Sequence, residues 1–225
     1  MRLKVWPALL RFWAGEPGLS VFLALLVVVI LVLPVLNPEG TLGLVGDIVF
    51  SLLLISGAAS IPRRRLTFFI VSAVAIVALL IRWASWLAPT VILEDWRSLS
   101  LLISVALLTL VVLAQVFRAG PVTRSRIQGA IAVYLLLGLA WATGYELLAL
   151  RRPGAFTGAA VEGDLPQRWL YYSFVTLTTV GYGDITPVHP MARSLAVLEA
   201  LTGQLYPAIL LARLVSQEVQ TRGNG

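Results

Sequence analysis

Apolar residues along this chain gather into long runs rather than repeating with the short period of a water-facing helix or strand. Six runs stand out, at about Leu19 to Leu36, Leu42 to Ile61, Leu66 to Leu87, Ser98 to Phe117, Ile127 to Leu150 and Met191 to Ser216. Each has the length of a helix that spans a hydrocarbon core, for which about 20 residues cover roughly 30 Å. A shorter apolar patch, Trp169 to Val180, lies between the last two runs. It is too short to cross, and predicts a re-entrant segment. The expected fold is an all-α membrane protein with six transmembrane helices and one re-entrant helix and loop. Three units are expected: residues 1–18 as an N-terminal segment, 19–118 as four helices, and 119–225 as two helices flanking the re-entrant segment.

Composition agrees with the pattern. The 225 residues are 59% hydrophobic and 12% charged, with a mean hydropathy of +0.90, far too apolar for a soluble domain of this size. The absence of cysteine rules out disulfides and thiolate metal sites. One histidine and scattered carboxylates form no catalytic group, so no enzyme and no resident cofactor are expected. The first run exceeds a usual signal-peptide core and is followed by no obvious small-residue cleavage site, which reads as a retained helix.

Basic residues then set the topology, because they favour the cytoplasmic side of short loops. Arg2, Lys4 and Arg11 precede the first run, Arg63, Arg64 and Arg65 follow the second, and Arg118, Arg124 and Arg126 follow the fourth. All three groups are expected inside, with both termini. The connections Asn37 to Thr41, Ala88 to Arg97 and Arg151 to Arg168 then fall outside, although the last carries three arginines against the bias. A multi-pass protein of the plasma (inner) membrane, lipid its surroundings, follows from this reading. The formal net charge of +6 is mostly this sidedness, so no nucleic-acid partner is expected. The segment MRLKVWPALLRFWAG, with Trp6, Phe12 and Trp13, either lies along the inner interface or is a basic tail.

The most informative string is Thr178-Thr179-Val180-Gly181-Tyr182-Gly183-Asp184. Two glycines flank Tyr182, and glycine accepts positive φ readily, so consecutive carbonyls can turn toward one axis. Irregular backbone at membrane depth is admissible only where it is buried in protein or lines water. The longer segment LYYSFVTLTTVGYGDITP, Leu170 to Pro187, closely resembles the pore loop of tetrameric potassium channels. The resemblance covers roughly the last hundred residues. It implies an outer pore helix at Ile127 to Leu150, a pore helix at Trp169 to Thr178 and an inner helix at Met191 to Ser216. Four copies would surround one axis as a homotetramer. The resemblance assigns K+ to rings of carbonyls from Thr179, Val180, Gly181 and Tyr182, with the Thr179 hydroxyl, in a selectivity filter that runs on through Gly183.

Around that loop the resemblance names supporting residues. Tyr171 and Tyr172 stand where many relatives carry a tryptophan pair, and Tyr171 is the candidate donor to Asp184. Thr178 is expected to brace the filter or line the cavity. Val175 stands where some bacterial relatives place a glutamate. Gly203 follows Asp184 at the spacing of the family's gating-hinge glycine, and Pro207 removes a backbone donor four residues later. Gly203 and Pro207 thus make a hinge, or else close packing and a static kink. Glu199 is an acid inside a membrane helix, costly unless paired or wet. Bracing behind the pore helix is preferred for it over facing the cavity, with Gln204 and Tyr206 as nearby polar groups. Glu146 is read as an interfacial acid, and His189 as an exposed loop residue.

The fourth run, SLSLLISVALLTLVVLAQVF, holds no charge. A voltage sensor needs several charges inside the field, so steep voltage gating of the usual type is not expected. Asp47 and Arg82 are candidates for a buried pair. Small residues at Gly40, Gly43 and Gly46 and at Ser56 to Ala59 suit close helix packing. Trp83, Trp86 and Trp96 suit an outer aromatic belt. After Ser216 the sequence closes with QEVQTRGNG, where no regulatory domain is expected. The function expected is passive, potassium-selective conduction in a compact bacterial protein. The alternatives are a pore subunit of a potassium-uptake transporter, whose loops are normally four in one chain, and a less selective cation channel, in which the tyrosine is usually replaced.

Overall fold

A computed structural model describes residues 16–36, 43–59, 65–87, 91–118, 123–158, 161 and 167–223. Helix α1 (Glu16–Val27) continues through a π-helical turn (Val28–Val32) into α2 (Leu33–Leu36). The turn has a local cause. Pro34 lacks an N–H and its ring crowds the carbonyl four residues back, and the Leu33 amide instead reaches Val28, five residues back. Helices α3 (Gly43–Ala59), α4 (Arg65–Leu87), α5 (Val91–Val116) and α6 (Arg124–Arg151) follow. Then come strand β1 (Phe156–Thr157), helix α7 (Arg168–Leu177), strand β2 (Thr186–Pro187) and helix α8 (Pro190–Gly223).

Five described helices are long and apolar enough to cross a membrane: Gly18–Leu36, Thr67–Ser85, Trp96–Val116, Arg124–Arg151 and Pro190–Ser216. The second run forms α3, whose 17 described residues reach about 26 Å at 1.5 Å per residue. The fourth helix departs from its expected bounds. It begins at Val91, so Arg97, expected in an outer connection, lies within the helix. Nothing between Pro89 and Ser98 breaks a helix, which propagates one residue at a small cost once started. The N-terminal segment, Asn37 to Thr41, Arg63, Arg64, Trp86, Glu162 and Asp164 lie outside the described residues or side chains.

Helix α6 is the hub, packed by α1, α5, α7 and α8. Its start is capped by Thr123, whose Oγ1 accepts the Arg126 amide at 3.3 Å. Phe22, Leu26, Leu53, Leu54, Val105, Leu108, Val133 and Leu136 fill the core between α1, α3, α5 and α6. Gly57 works there as expected, since an added Cβ would stand 3.0 Å from Phe22 and 3.1 Å from Leu108. Gly46 does not: it faces open space. The small size of a residue permits close approach without compelling it.

Charge ties the first helices together. The Asp47 carboxylate of α3, 1% exposed, forms an ion pair with Arg82 of α4 and lies 3.4 Å from Arg97 of α5. The Arg82 guanidinium also lies 4.8 Å over the Phe50 ring. A carboxylate this deeply buried requires such partners. At the opposite end, Arg213 of α8 donates to the Phe117 carbonyl at 2.5 Å and lies 5.0 Å over that ring. Replacing Asp47 by Ala strands the Arg82 charge, and should lower stability by about 3–5 kcal/mol. The double replacement Asp47→Leu, Arg82→Leu should recover most of that loss. Thermal melts in detergent measure both, and equal melting of the single and double variants would refute the pair.

Candidate functional site

Helix α7 is too short to cross and is held on one side by aromatic rings. Tyr172 is buried, its ring centroid 4.9 Å from Tyr145 of α6 and 5.5 Å from Phe156 of β1, while Trp169 lies 4.8 Å from Phe156. Edge-to-face contacts of this kind fix orientation as well as bury area. Tyr171, the next residue, is half exposed and lines the same cavity as Asp184. Gly138 of α6 leaves room for the Phe174 ring.

At its end α7 turns into the Thr178 to Asp184 loop, which folds back over the helix terminus. The amides of Thr178, Thr179 and Val180 bond the carbonyls of Phe174, Thr176 and Val175 at 3.1, 2.9 and 2.9 Å, and Thr178 Oγ1 donates to Phe174 at 2.5 Å. Beyond this point the backbone is unusual. Thr179, Gly181 and Gly183 have φ of 60°, 60° and 80°, while Val180 and Tyr182 between them do not have positive φ. In a strand successive carbonyls face opposite ways. Positive φ at every second residue breaks that strand pattern, and no backbone hydrogen bond to the carbonyls of Thr179 to Gly183 forms among the described residues. Glycine adopts this conformation freely, but at Thr179 it costs on the order of 1–3 kcal/mol. Val180 and Tyr182 are 52% and 71% exposed, so a single copy leaves the loop bare.

The loop's exit is anchored by a segment that sequence reasoning treated only as an outer connection. Phe156 and Thr157 pair with Pro187 and Thr186 in a short antiparallel ladder, and the Val188 amide bonds Ala155 at 2.9 Å. Gly158 has φ +129° and lies so close that a Cβ would fall on the Asp184 carbonyl. Gly154, Phe156 and Gly158 were the available signal: two glycines and a lone aromatic in a polar connection. His189 has a local duty, its Nδ1 accepting the Met191 amide at 3.1 Å in the first turn of α8.

Helix α8 meets this assembly at three levels. Glu199, 0% exposed, accepts Tyr145 Oη at 2.5 Å and has Ser173 Oγ at 2.5 Å. Neither Gln204 nor Tyr206 serves it. Gln204 Nε2 donates to Thr179 Oγ1 at 3.0 Å, and the Tyr206 hydroxyl to the Ala130 carbonyl at 2.8 Å. Gly203 lies against the end of α7, where a Cβ would fall on the Leu177 carbonyl. Pro207 is exposed within an unbroken helix. Glu146 lines a cavity of about 210 Å³ with Arg82, Thr143 and Gln167. Sequence gave no sign of Ser173 or Tyr145 as partners, since both read as ordinary helix residues.

The loop presents backbone oxygens and hydroxyls, a donor set for hard, poorly polarisable cations, at the C-terminal, partially negative end of a short helix. The short helix α7 and its loop stand between two helices, α6 and α8, that are long and apolar enough to cross a membrane. Residues 133–220 match the family model described as "Ion channel". Relatives include protein LctB of Bacillus caldotenax, 36% identical over 87 residues, which cover 36% of this chain and 64% of that protein. Two pore potassium channel c of Oryza sativa subsp. japonica is 38% identical over 38% of this chain and 17% of its own length. Inward rectifier potassium channel Kirbac3.1 of Paramagnetospirillum magnetotacticum is 35% identical over 33% of this chain and 22% of its own. The chain therefore spans less than two thirds of each. No solved structure matches it.

Substituting Gly203 by Ala should force α8 away from the Leu177 carbonyl and lower stability by about 1–3 kcal/mol, as overpacking does. Gly144→Ala, where the added methyl meets open space, should be neutral or slightly stabilising. Equal melting temperatures for the two variants would contradict the close contact.

Proposed function

We propose that the chain is the subunit of a homotetrameric, potassium-selective channel that conducts passively, with both termini on the cytoplasmic side of the plasma membrane. The observation that carries this reading is the alternation of positive φ at Thr179, Gly181 and Gly183 within the Thr-Val-Gly-Tyr-Gly string. Four such loops around one axis would stack rings of carbonyls from Thr179, Val180, Gly181 and Tyr182, with the Thr179 hydroxyl beneath them. These rings replace the hydration oxygens of K+, and ions in neighbouring sites repel one another onward. The exposed loop and the largely uncovered α8, with Val197, Leu201, Leu205 and Ile209 bare in one copy, support assembly around that axis. So do two relatives named as potassium channels.

Within this reading residues 119–225 are the pore domain, residues 19–118 a sensor-like domain without gating arginines, and residues 1–18 an interfacial segment. Tyr171, Tyr172, Thr178, Asp184 and Glu199 support the filter, and Gly203 and Pro207 are the hinge region. Moving one charge through 100 mV supplies only about 2.3 kcal/mol. Two arginines within the first four helices, Arg82 and Arg97, are tied to Asp47, which opposes their movement. Conventional voltage gating is therefore absent from the proposal.

Purified protein in planar bilayers, with K+ on one side and Na+ on the other, should reverse near the K+ equilibrium potential, with open probability nearly flat in voltage. Tyr182→Asp should shift the reversal toward that of Na+. Reversal midway between the two potentials in the unaltered protein would favour a less selective cation channel. Uptake that required a nucleotide-hydrolysing partner would favour a transporter.

A further inference from the structure

Behind the loop, Tyr145, Glu199, Ser173 and the Gly138 carbonyl form one hydrogen-bonded chain, and counting its protons decides the state of the carboxyl. Tyr145 Oη lies 2.5 Å from Oε2 of Glu199, Ser173 Oγ lies 2.5 Å from Oε1, and the same Oγ lies 2.7 Å from the Gly138 oxygen. A serine hydroxyl has one proton to donate. Were Glu199 ionised, that proton would serve either the carboxylate or the Gly138 carbonyl. The other pair of oxygens would then stand at hydrogen-bond distance with no proton between them. An ionised Glu199 would also be a fully buried charge without a cation. Its titratable neighbours are the phenols of Tyr145, Tyr172 and Tyr134, and both ion pairs among the described residues belong to Asp47. A protonated Glu199 removes both difficulties. The acid O–H then donates to Ser173, Ser173 donates to Gly138, and Tyr145 donates to the second acid oxygen.

We propose that Glu199 is carried as a neutral carboxylic acid whose proton couples the inner helix α8 to the pore helix α7 and the outer helix α6. It is a positioning residue for the conducting loop. The consequence for conduction rests on the channel reading above; the protonation state rests on the geometry of four groups. Glutamine retains one donor and one acceptor and mimics the acid with a single surplus N–H, whereas alanine removes both bonds and leaves Ser173 and Tyr145 short of partners.

Infrared spectra of the full chain in liposomes at near-neutral pH test the protonation directly. The unaltered protein should show a protonated-carboxyl C=O band that is absent from Glu199→Gln. In Ser173→Ala the band should move to higher frequency, because the acid O–H loses its acceptor. That second comparison serves even where the Gln variant fails to fold. Single-channel records give an independent readout: the open lifetime of Glu199→Gln should stay within about threefold of the unaltered channel, and that of Glu199→Ala should fall about tenfold, a factor equal to about 1.4 kcal/mol. A spectrum without a Glu199-dependent band, a band unmoved by Ser173→Ala, or Gln and Ala variants equally impaired would each overturn the proposal. A protein that keeps the band but passes no K+ would instead overturn the channel reading and leave the acid in place.

Discussion

A stretch of backbone that keeps its carbonyls free must be held in shape by everything except its own hydrogen bonds. That constraint governs the second half of this chain. Helices satisfy their polar groups internally, which is why they cross membranes. The loop after α7 gives up that economy over Thr179 to Gly183, with left-handed backbone at three alternate residues, one of them a threonine. The conformation persists because its two ends are clamped: the entry by amides returned to the end of α7, the exit by the ladder of Phe156 and Thr157 against Pro187 and Thr186.

The clamps are themselves supported from deeper in the fold. Tyr145 touches Tyr172 and Phe156 with its ring and Glu199 with its hydroxyl, so one side chain of α6 joins the short helix, the outer ladder and the inner helix. One turn along α8 from Glu199, Gly203 rests on the Leu177 carbonyl. Two contacts a turn apart hold this part of α8 to the end of α7. Further along, Pro207 stands in a stretch where Leu205, Ile209 and Leu211 are exposed in the single chain. The contrast between a fixed upper part and an unpartnered lower part is a property of the packing, and it gives physical content to the proposed hinge region.

The first four helices use charge for a different end. Asp47 binds Arg82 and Arg97 from three separate helices, and Arg213 joins the far end of α8 to Phe117 at the close of α5. Such ties join α3, α4 and α5 to one another and α8 to the end of α5. A buried pair of this kind adds little net stability over apolar packing, while loss of one partner is costly.

The long apolar helices, the short helix between the last two and the informative loop were all legible in sequence. Run length and glycine spacing are local quantities, and lipid imposes them residue by residue. The helix boundaries followed within a few residues except where the sequence was permissive, between Pro89 and Ser98 and beyond Ser216, where α8 runs on to Gly223. Tertiary structure decided the partners. Glu199 could be marked as an acid out of place, but Ser173 lies 26 residues away and Tyr145 lies 54 away, and nothing in their local patterns announces the meeting. The outer ladder, the contact of Gly203 with Leu177 and the task of Gln204 at Thr179 are equally long-range. Hydrophobicity determines that a segment enters the membrane; only the packing of one helix on another determines which of its few polar atoms find each other there.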